Sequence, residues 1–185
     1  MTDEQAVLRC QSGEREAFHH LVERYKDVLF GTAVLMTGNR ALAEEQVQEA
    51  FLAAWRGIAG FQSGRPVKPW LVRILVNAVV SQRRRRAVDT VPLETYSHAD
   101  DRPSPGDTVE ANLDRQAIRE ALGGLSRDHR QVVVLRYFAD LTVPELAEAI
   151  GVREGTIKSR LSRALSQLRK QLASGGAREA YSHGQ

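Results

Sequence analysis

The residues best suited to bind a ligand lie near the C-terminus of this sequence. Between Arg153 and Lys170 there are six lysine or arginine residues and one glutamate. Ammonium and guanidinium groups hold phosphate oxygens, and arginine can also donate to the guanine edge in the major groove. The segment therefore points to DNA binding. The alternative is an ordinary helical hairpin with a solvated charged face.

The residues before this segment predict a first helix and a turn that would position it. Thr142 and Glu145 have the spacing of a capping box, which starts a helix, and Gly151 can supply the positive φ of a short turn after it. Ala147 is small where a second helix must cross closely. Apolar residues fall at i, i+4 spacing on the inner faces of both helices: Leu146, Ile150, Ile157 and Leu161. Because cap, turn, apolar spacing and one-sided charge agree, we favour a helix-turn-helix.

Composition limits the class of protein. The chain has 185 residues, 42% of them hydrophobic, and its apolar period is helical nearly throughout, which predicts an all-α fold. The single cysteine, Cys10, excludes an internal disulfide and a cysteine-based zinc site. No apolar run could span a membrane and no signal peptide opens the chain, so we expect a cytoplasmic protein without membrane insertion.

Charge divides the chain into two basic lobes. Residues 1–86 carry a net charge of +4, residues 87–111 carry −5, and residues 112–185 carry +4. The middle segment contains three prolines and no sustained period, so we predict a flexible acidic linker at 87–111. The glycines near the C-terminus predict a flexible tail at 174–185. Two small helical domains, 1–86 and 112–173, remain, and two basic lobes suggest two contacts with a polyanion.

The first lobe is predicted to be a helical bundle with two candidate binding surfaces. Helices are predicted at 3–11, 14–37 and 41–58, followed by a glycine-rich loop at 57–68 and a helix opened by Pro69. The third helix shows an acidic and amide face, for which a solvated surface is the simpler explanation. The loop and the helix after it combine aromatic, amide and basic residues, which suits unstacked single-stranded nucleic acid. These residues are Phe61, Gln62, Ser63, Arg65, Lys68, Trp70, Arg73, Asn77 and Arg83–Arg86.

Three motifs in this order resemble a known family. Residues 43–56 (AEEQVQEAFLAAWR) are similar to a polymerase-binding helix, and residues 70–77 (WLVRILVN), with the arginines after them, to a minus-ten recognition helix. Residues 125–137 (LSRDHRQVVVLRY), with the helix-turn-helix, are similar to a fourth conserved region. Over residues 14–172 the chain resembles the extracytoplasmic-function (ECF, group four) sigma factors of bacterial RNA polymerase, in the sigma-70 family.

The resemblance implies a function and partners. Such a protein is not an enzyme: it binds the largest and second-largest subunits of core RNA polymerase, recognises minus-ten and minus-thirty-five promoter DNA, melts the DNA and is commonly held by an anti-sigma factor. The implied polymerase-binding residues are Glu45, Gln48, Glu49 and Leu52. The implied minus-ten residues are Phe61, Arg65, Lys68, Trp70, Arg73, Asn77, Arg83 and Arg84. The implied minus-thirty-five residues are Arg153, Thr156, Lys158, Ser159, Ser162 and Arg163.

Other classes fit the residues less well. An ordinary two-domain transcription regulator would share the helix-turn-helix, but its first lobe would need no aromatic and basic loop. An enzyme would need a catalytic constellation, a phosphate-binding loop or metal-ligand spacing, and none is visible in the sequence. The adjacent His19 and His20 point to different helix faces, which disfavours joint metal ligation. We therefore expect no cofactor and no metal.

Overall fold

A computed structural model describes residues 1–88 and 109–182 of the chain. The helices are α1 (Asp3–Gln11), α2 (Glu16–Thr37), α3 (Arg40–Gly57), α4 (Val67–Val88), α5 (Val109–Gly123), α6 (Arg127–Tyr137), α7 (Val143–Ile150) and α8 (Glu154–Ser182). A 3-10 turn, Ile58–Gly60, lies between α3 and α4. No strand occurs in the two described ranges. The all-α prediction is confirmed.

Local signals set most helix ends. Thr2 caps α1 in a capping box with Gln5, and the side chain of Asn39 caps α3. Gly38 ends α2 in the left-handed region, at a φ of 67°. These positions bring α1, α2 and α3 within two residues of their predicted bounds, because each end has its own capping chemistry.

Three helices extend further than the sequence suggested. α4 begins at Val67, so Pro69 lies within its first turn, and α4 continues past the arginine run to Val88. α5 begins at Val109, and residues 89–108 of the predicted linker lie outside the described residues. α8 continues to Ser182, through residues that we assigned to a flexible tail. Glycine costs a helix only about 1 kcal/mol relative to alanine, so Gly175 and Gly176 do not oblige it to end.

Helices α1 to α4 form the N-terminal half, residues 1–88. Their buried apolar residues include Leu21, Leu29, Leu71 and Leu75, each at most 1% exposed. α1 is tied to α2 through Asp3, which accepts hydrogen bonds from the Tyr25 hydroxyl and, at 2.8 Å, from Arg24. Burial, followed by this hydrogen bond, raises the pKa of Tyr25 and keeps the phenol a neutral donor.

Helices α5 to α8 form the C-terminal half, residues 109–182. Its loop between α5 and α6 is held by the buried side chain of Arg130. The Arg130 Nε donates to the Leu122 carbonyl at 2.9 Å, and its Nη2 donates to the carbonyls of Gly123 and Leu125 at 3.1 and 3.3 Å. One guanidinium thus donates to three carbonyls at and just after the C-terminal end of α5.

The two halves pack against each other rather than standing apart. α4 contacts α7, and α2 contacts α6. Buried residues of α7 and α8 belong to the same apolar cluster as those of α2 and α4. Phe138, just after α6, lies against Gly31 of α2, where an added Cβ would overlap its ring. The sequence predicted two lobes and offered no sign of this shared core.

Replacing the buried arginine should destabilise the C-terminal half. Arg130→Met keeps much of the side-chain volume but removes the hydrogen bonds that the guanidinium donates to three backbone carbonyls, so we expect the free energy of unfolding to fall by about 2–4 kcal/mol. Urea unfolding followed by circular dichroism measures it. Arg169→Met, at an exposed position of α8, is the control and should cost less than about 1 kcal/mol. Equal losses for the two variants would contradict this role for Arg130.

Candidate nucleic-acid and polymerase interfaces

The helix-turn-helix forms as its capping residues predict. The Thr142 hydroxyl accepts from the Glu145 N–H at 3.4 Å, and the Glu145 carboxylate accepts from the Thr142 N–H at 2.7 Å. Gly151 has a φ of 77° and ends α7. Leu146 of α7 and Ile157 of α8 are fully buried between the helices. This packing fixes the angle at which the start of α8 projects.

The start of α8 presents one polar and basic face. Lys158 Nζ lies 3.9 Å from the Glu154 carboxylate, and the Ser159 hydroxyl donates to the Thr156 carbonyl at 3.0 Å. Thr156 is half-buried, whereas the other predicted DNA-facing residues are exposed: Arg153, Lys158, Ser159, Ser162 and Arg163. The structure therefore brings this predicted set together on the first turns of α8.

Arg160 is turned away from that face. Its Nη2 lies 2.5 Å from the Asp128 carboxylate of α6, and the side chain is only 25% exposed. In the structure it ties α8 to α6, and so keeps the exposed face in a fixed orientation.

The acidic face of α3 is also exposed. Val47 and Ala50 point into the core, while the opposite face carries Glu44, Glu45, Gln48, Glu49 and Leu52, all exposed. Leu52 is 51% exposed beside these carboxylates. Gln82 of α4 donates to Glu45 at 3.5 Å, which links this face to the helix that carries the arginine run. An acidic surface with a protruding leucine suits a basic partner with an apolar notch.

The loop before α4 is built around Phe61. This residue is 9% exposed, and its ring centroid lies 4.7 Å from that of Trp70. Gln11 of α1 donates to the carbonyls of Ile58 and Phe61 at 2.9 and 2.8 Å. The buried ring differs from the free, base-stacking ring that the sequence suggested, because the loop needs an apolar anchor. Trp70 is half-buried at the surface above it.

The remaining predicted minus-ten residues divide into two groups. Asn77 is exposed on α4, and the side chains of Arg83 and Arg84 lie outside the described residues. Arg65 and Arg73 converge on Glu148 of α7, at 3.2 and 2.7 Å, and Lys68 lies 3.8 Å from Asp140. A cavity of about 290 Å³ lies between the loop and α7, and its lining includes both arginines, Glu148 and the rings of Phe61 and Trp70. Sequence reasoning missed Glu148 and Asp140, since their partners are more than 70 residues away.

Comparison with known proteins decides the family. The model for Sigma-70 region 2 matches residues 21–88, and the model for Sigma-70, region 4 matches residues 115–168. The chain belongs to the ECF sigma factors. The ECF RNA polymerase sigma factor SigL of Mycobacterium tuberculosis is 34% identical over 165 residues, which cover 88% of this chain and 93% of SigL.

Two solved structures resemble this sigma factor over most of its length. CnrH in complex with the cytosolic domain of CnrY matches with a TM-score of 0.70 and 25% identity, over 93% of this chain and 97% of CnrH. The sigma factor RpoE, in complex with the anti-sigma factor NepR from Bartonella quintana, matches with a TM-score of 0.73 and 29% identity. That match covers 84% of this chain and 96% of RpoE.

Membership of this family distinguishes an enzyme from a non-catalytic protein. A sigma factor is a non-catalytic subunit of RNA polymerase, so the prediction that the chain is not an enzyme is confirmed. The described residues contain no group of three or more histidine, cysteine, aspartate or glutamate residues that could hold a metal ion. Among those same residues, every helix is too short or too polar to span a bilayer.

The packing of Phe61 predicts a stability effect that a surface residue would not show. Phe61→Ala removes a buried ring and should lower the free energy of unfolding by about 3–5 kcal/mol. Asn77→Ala, on the exposed face of α4, should change it by less than about 0.5 kcal/mol. Urea unfolding followed by tryptophan fluorescence measures both variants, because Trp70 contacts Phe61. An unchanged stability for Phe61→Ala would show that the ring is free for another role.

Proposed function

We propose that this ECF sigma factor binds RNA polymerase and promoter DNA through three separate surfaces. Residues 1–86 bind core polymerase and the minus-ten element, and residues 112–173 bind the minus-thirty-five element. The observation that supports this most directly is the basic face at the start of α8, which projects from a capped helix-turn-helix within the region 4 match.

The α8 face would read the minus-thirty-five element in the major groove. Arg163 can donate two hydrogen bonds to one guanine, and Ser159 and Ser162 can contact neighbouring base edges. Arg153 stands at the N-terminus of α8, where exposed N–H groups already favour a phosphate. Base reading and phosphate binding would therefore fall to different residues of one short segment.

The loop and α4 would hold the minus-ten element. Arg65, Lys68 and Arg73 supply positive charge along one edge, Trp70 supplies an aromatic surface, and Asn77 supplies an amide for a base edge. Arg83 and Arg84 follow on the same helix and would continue the phosphate contacts. Phe61 would support Trp70 from below rather than contact a base, because its own ring is buried.

The acidic face of α3 would bind the core enzyme. Glu45, Gln48, Glu49 and Leu52 project together and would meet a basic surface on the largest polymerase subunit. The C-terminal half would sit on the second-largest subunit. Since the solved relative RpoE was crystallised with an anti-sigma factor, we further propose that an anti-sigma factor controls this chain.

Charge reversal on α3 tests the polymerase surface. Glu45→Lys with Glu49→Lys should weaken binding to core RNA polymerase at least tenfold, because it places like charges across a complementary contact. Glu16→Lys with Glu23→Lys makes the same charge change on exposed residues of α2 and is the control. Titration of labelled sigma factor with core enzyme measures both. Equal affinities for the two double variants would remove the α3 face from the interface.

Two arginines at the start of α8 should behave differently on DNA. Arg163→Ala should cost roughly 1–3 kcal/mol on the preferred minus-thirty-five sequence and relax the preference at one or two positions. Arg153→Ala should weaken binding to all sequences alike and flatten its salt dependence, since a phosphate contact carries no sequence information. Holoenzyme binding to a minus-thirty-five library at two salt concentrations separates these effects. The reverse pattern would mean that the reading face is rotated around α8.

A further inference from the structure

The contacts of Glu148 assign it a role that its place in the helix-turn-helix does not require. We propose that Glu148 is an internal competitor of minus-ten DNA: in the free chain its carboxylate occupies the site that Arg65 and Arg73 otherwise offer to a DNA phosphate. This proposal rests on the proposed function of the loop and α4. It makes the C-terminal half an inhibitor of the N-terminal half.

The geometry around Glu148 matches that of an anion site. Arg73 Nη1 donates to one carboxylate oxygen at 2.7 Å, and Arg65 Nη2 donates to the other at 3.2 Å. Two guanidinium groups on one acceptor group is the arrangement that arginines also make with a phosphate. The carboxylate thus satisfies the two cations that would hold the DNA backbone.

A second ion pair extends the same contact. Lys68 Nζ lies 3.8 Å from a carboxylate oxygen of Asp140, in the short turn between α6 and α7. Asp140 has a φ of 55°, in the left-handed region that aspartate tolerates better than most residues. Three cations of the loop and α4 therefore face two acids of the C-terminal half. Each acid replaces negative charge that single-stranded DNA would bring.

Apolar packing holds the acids in this position. Phe138 lies against Gly31, and Leu35 and Met36 of α2 pack on the apolar core of the C-terminal half. Exposed ion pairs alone are weak and are screened by salt. The apolar contact holds the two halves together, and the ion pairs set their relative position. Separation of the two halves would therefore free all three cations at once.

Binding of DNA to the free sigma factor tests the competition. The probe is a fluorescein-labelled, random-sequence, single-stranded DNA 12-mer, and fluorescence anisotropy gives its dissociation constant. Glu148→Gln should bind it roughly three- to tenfold more tightly than the unaltered chain. Glu23→Gln is the control, because it removes an equally exposed carboxylate that pairs with Lys26 at 2.7 Å within α2. Adding Arg73→Ala to Glu148→Gln should abolish the gain.

Carbodiimide cross-linking tests the closed arrangement itself. The reagent joins an amine to an adjacent carboxylate, so mass spectrometry of the free chain should show a link between Lys68 and Asp140. Core RNA polymerase should suppress that link. Gly31→Ala suits α2 as a helix, but its Cβ would overlap the Phe138 ring, so it should lower the cross-link yield severalfold. On a Phe138→Ala background the same change should have no further effect.

The outcomes separate this proposal from the proposed function. A gain for Glu148→Gln that Glu23→Gln lacks, together with the Lys68–Asp140 link, supports the competition. Equal affinity of the two variants, or no link in the free chain, overturns it. Transcription by core polymerase with the unaltered chain is measured separately: its success upholds the sigma function even where the competition fails, and its failure rejects that function whatever Glu148 does.

Discussion

The apolar contact between the two halves is the constraint on which the rest of the arrangement depends. Gly31 leaves room on α2 for the Phe138 ring, and α7 can then approach the loop before α4. A Cβ at Gly31 would overlap that ring, so the ring would have to move. Because a packed contact of this kind is closed or open rather than graded, it suits a two-state device.

The cations of the loop before α4 and of α4 can pair either with DNA phosphates or with acids of the C-terminal half. The cations that suit a nucleic-acid backbone also suit carboxylates, so a chain that must bind DNA later can bind its own acids first. Arg65 and Arg73 meet Glu148, whereas the basic face of α8 stays exposed apart from the Glu154–Lys158 pair. Of the two surfaces that we propose for DNA binding, the one proposed for the minus-ten element is therefore partly covered by acids of the C-terminal half, and the face of α8 is not.

Several side chains act by positioning others. Arg130 donates to carbonyls at the end of α5, Arg160 ties α8 to Asp128, and Gln11 holds the carbonyls of Ile58, the first residue of the 3-10 turn, and of Phe61, which follows it. Each uses a polar group to satisfy backbone or charge inside a helical frame, and none presents a reading group to solvent. The residues of α8 and α4 that we propose to read DNA can then project from helices whose orientation is already set.

The sequence by itself determined the helices, the helix-turn-helix and the family. Capping at Thr142 and Glu145, the turn at Gly151 and the apolar spacing are local, so a few residues specify each of them. Only the tertiary structure decided that Phe61 is buried, that Arg160 faces Asp128 and that Glu148 meets Arg65 and Arg73. Those contacts join residues that are far apart in the chain, and no local period or cap reports which distant surfaces will pack together.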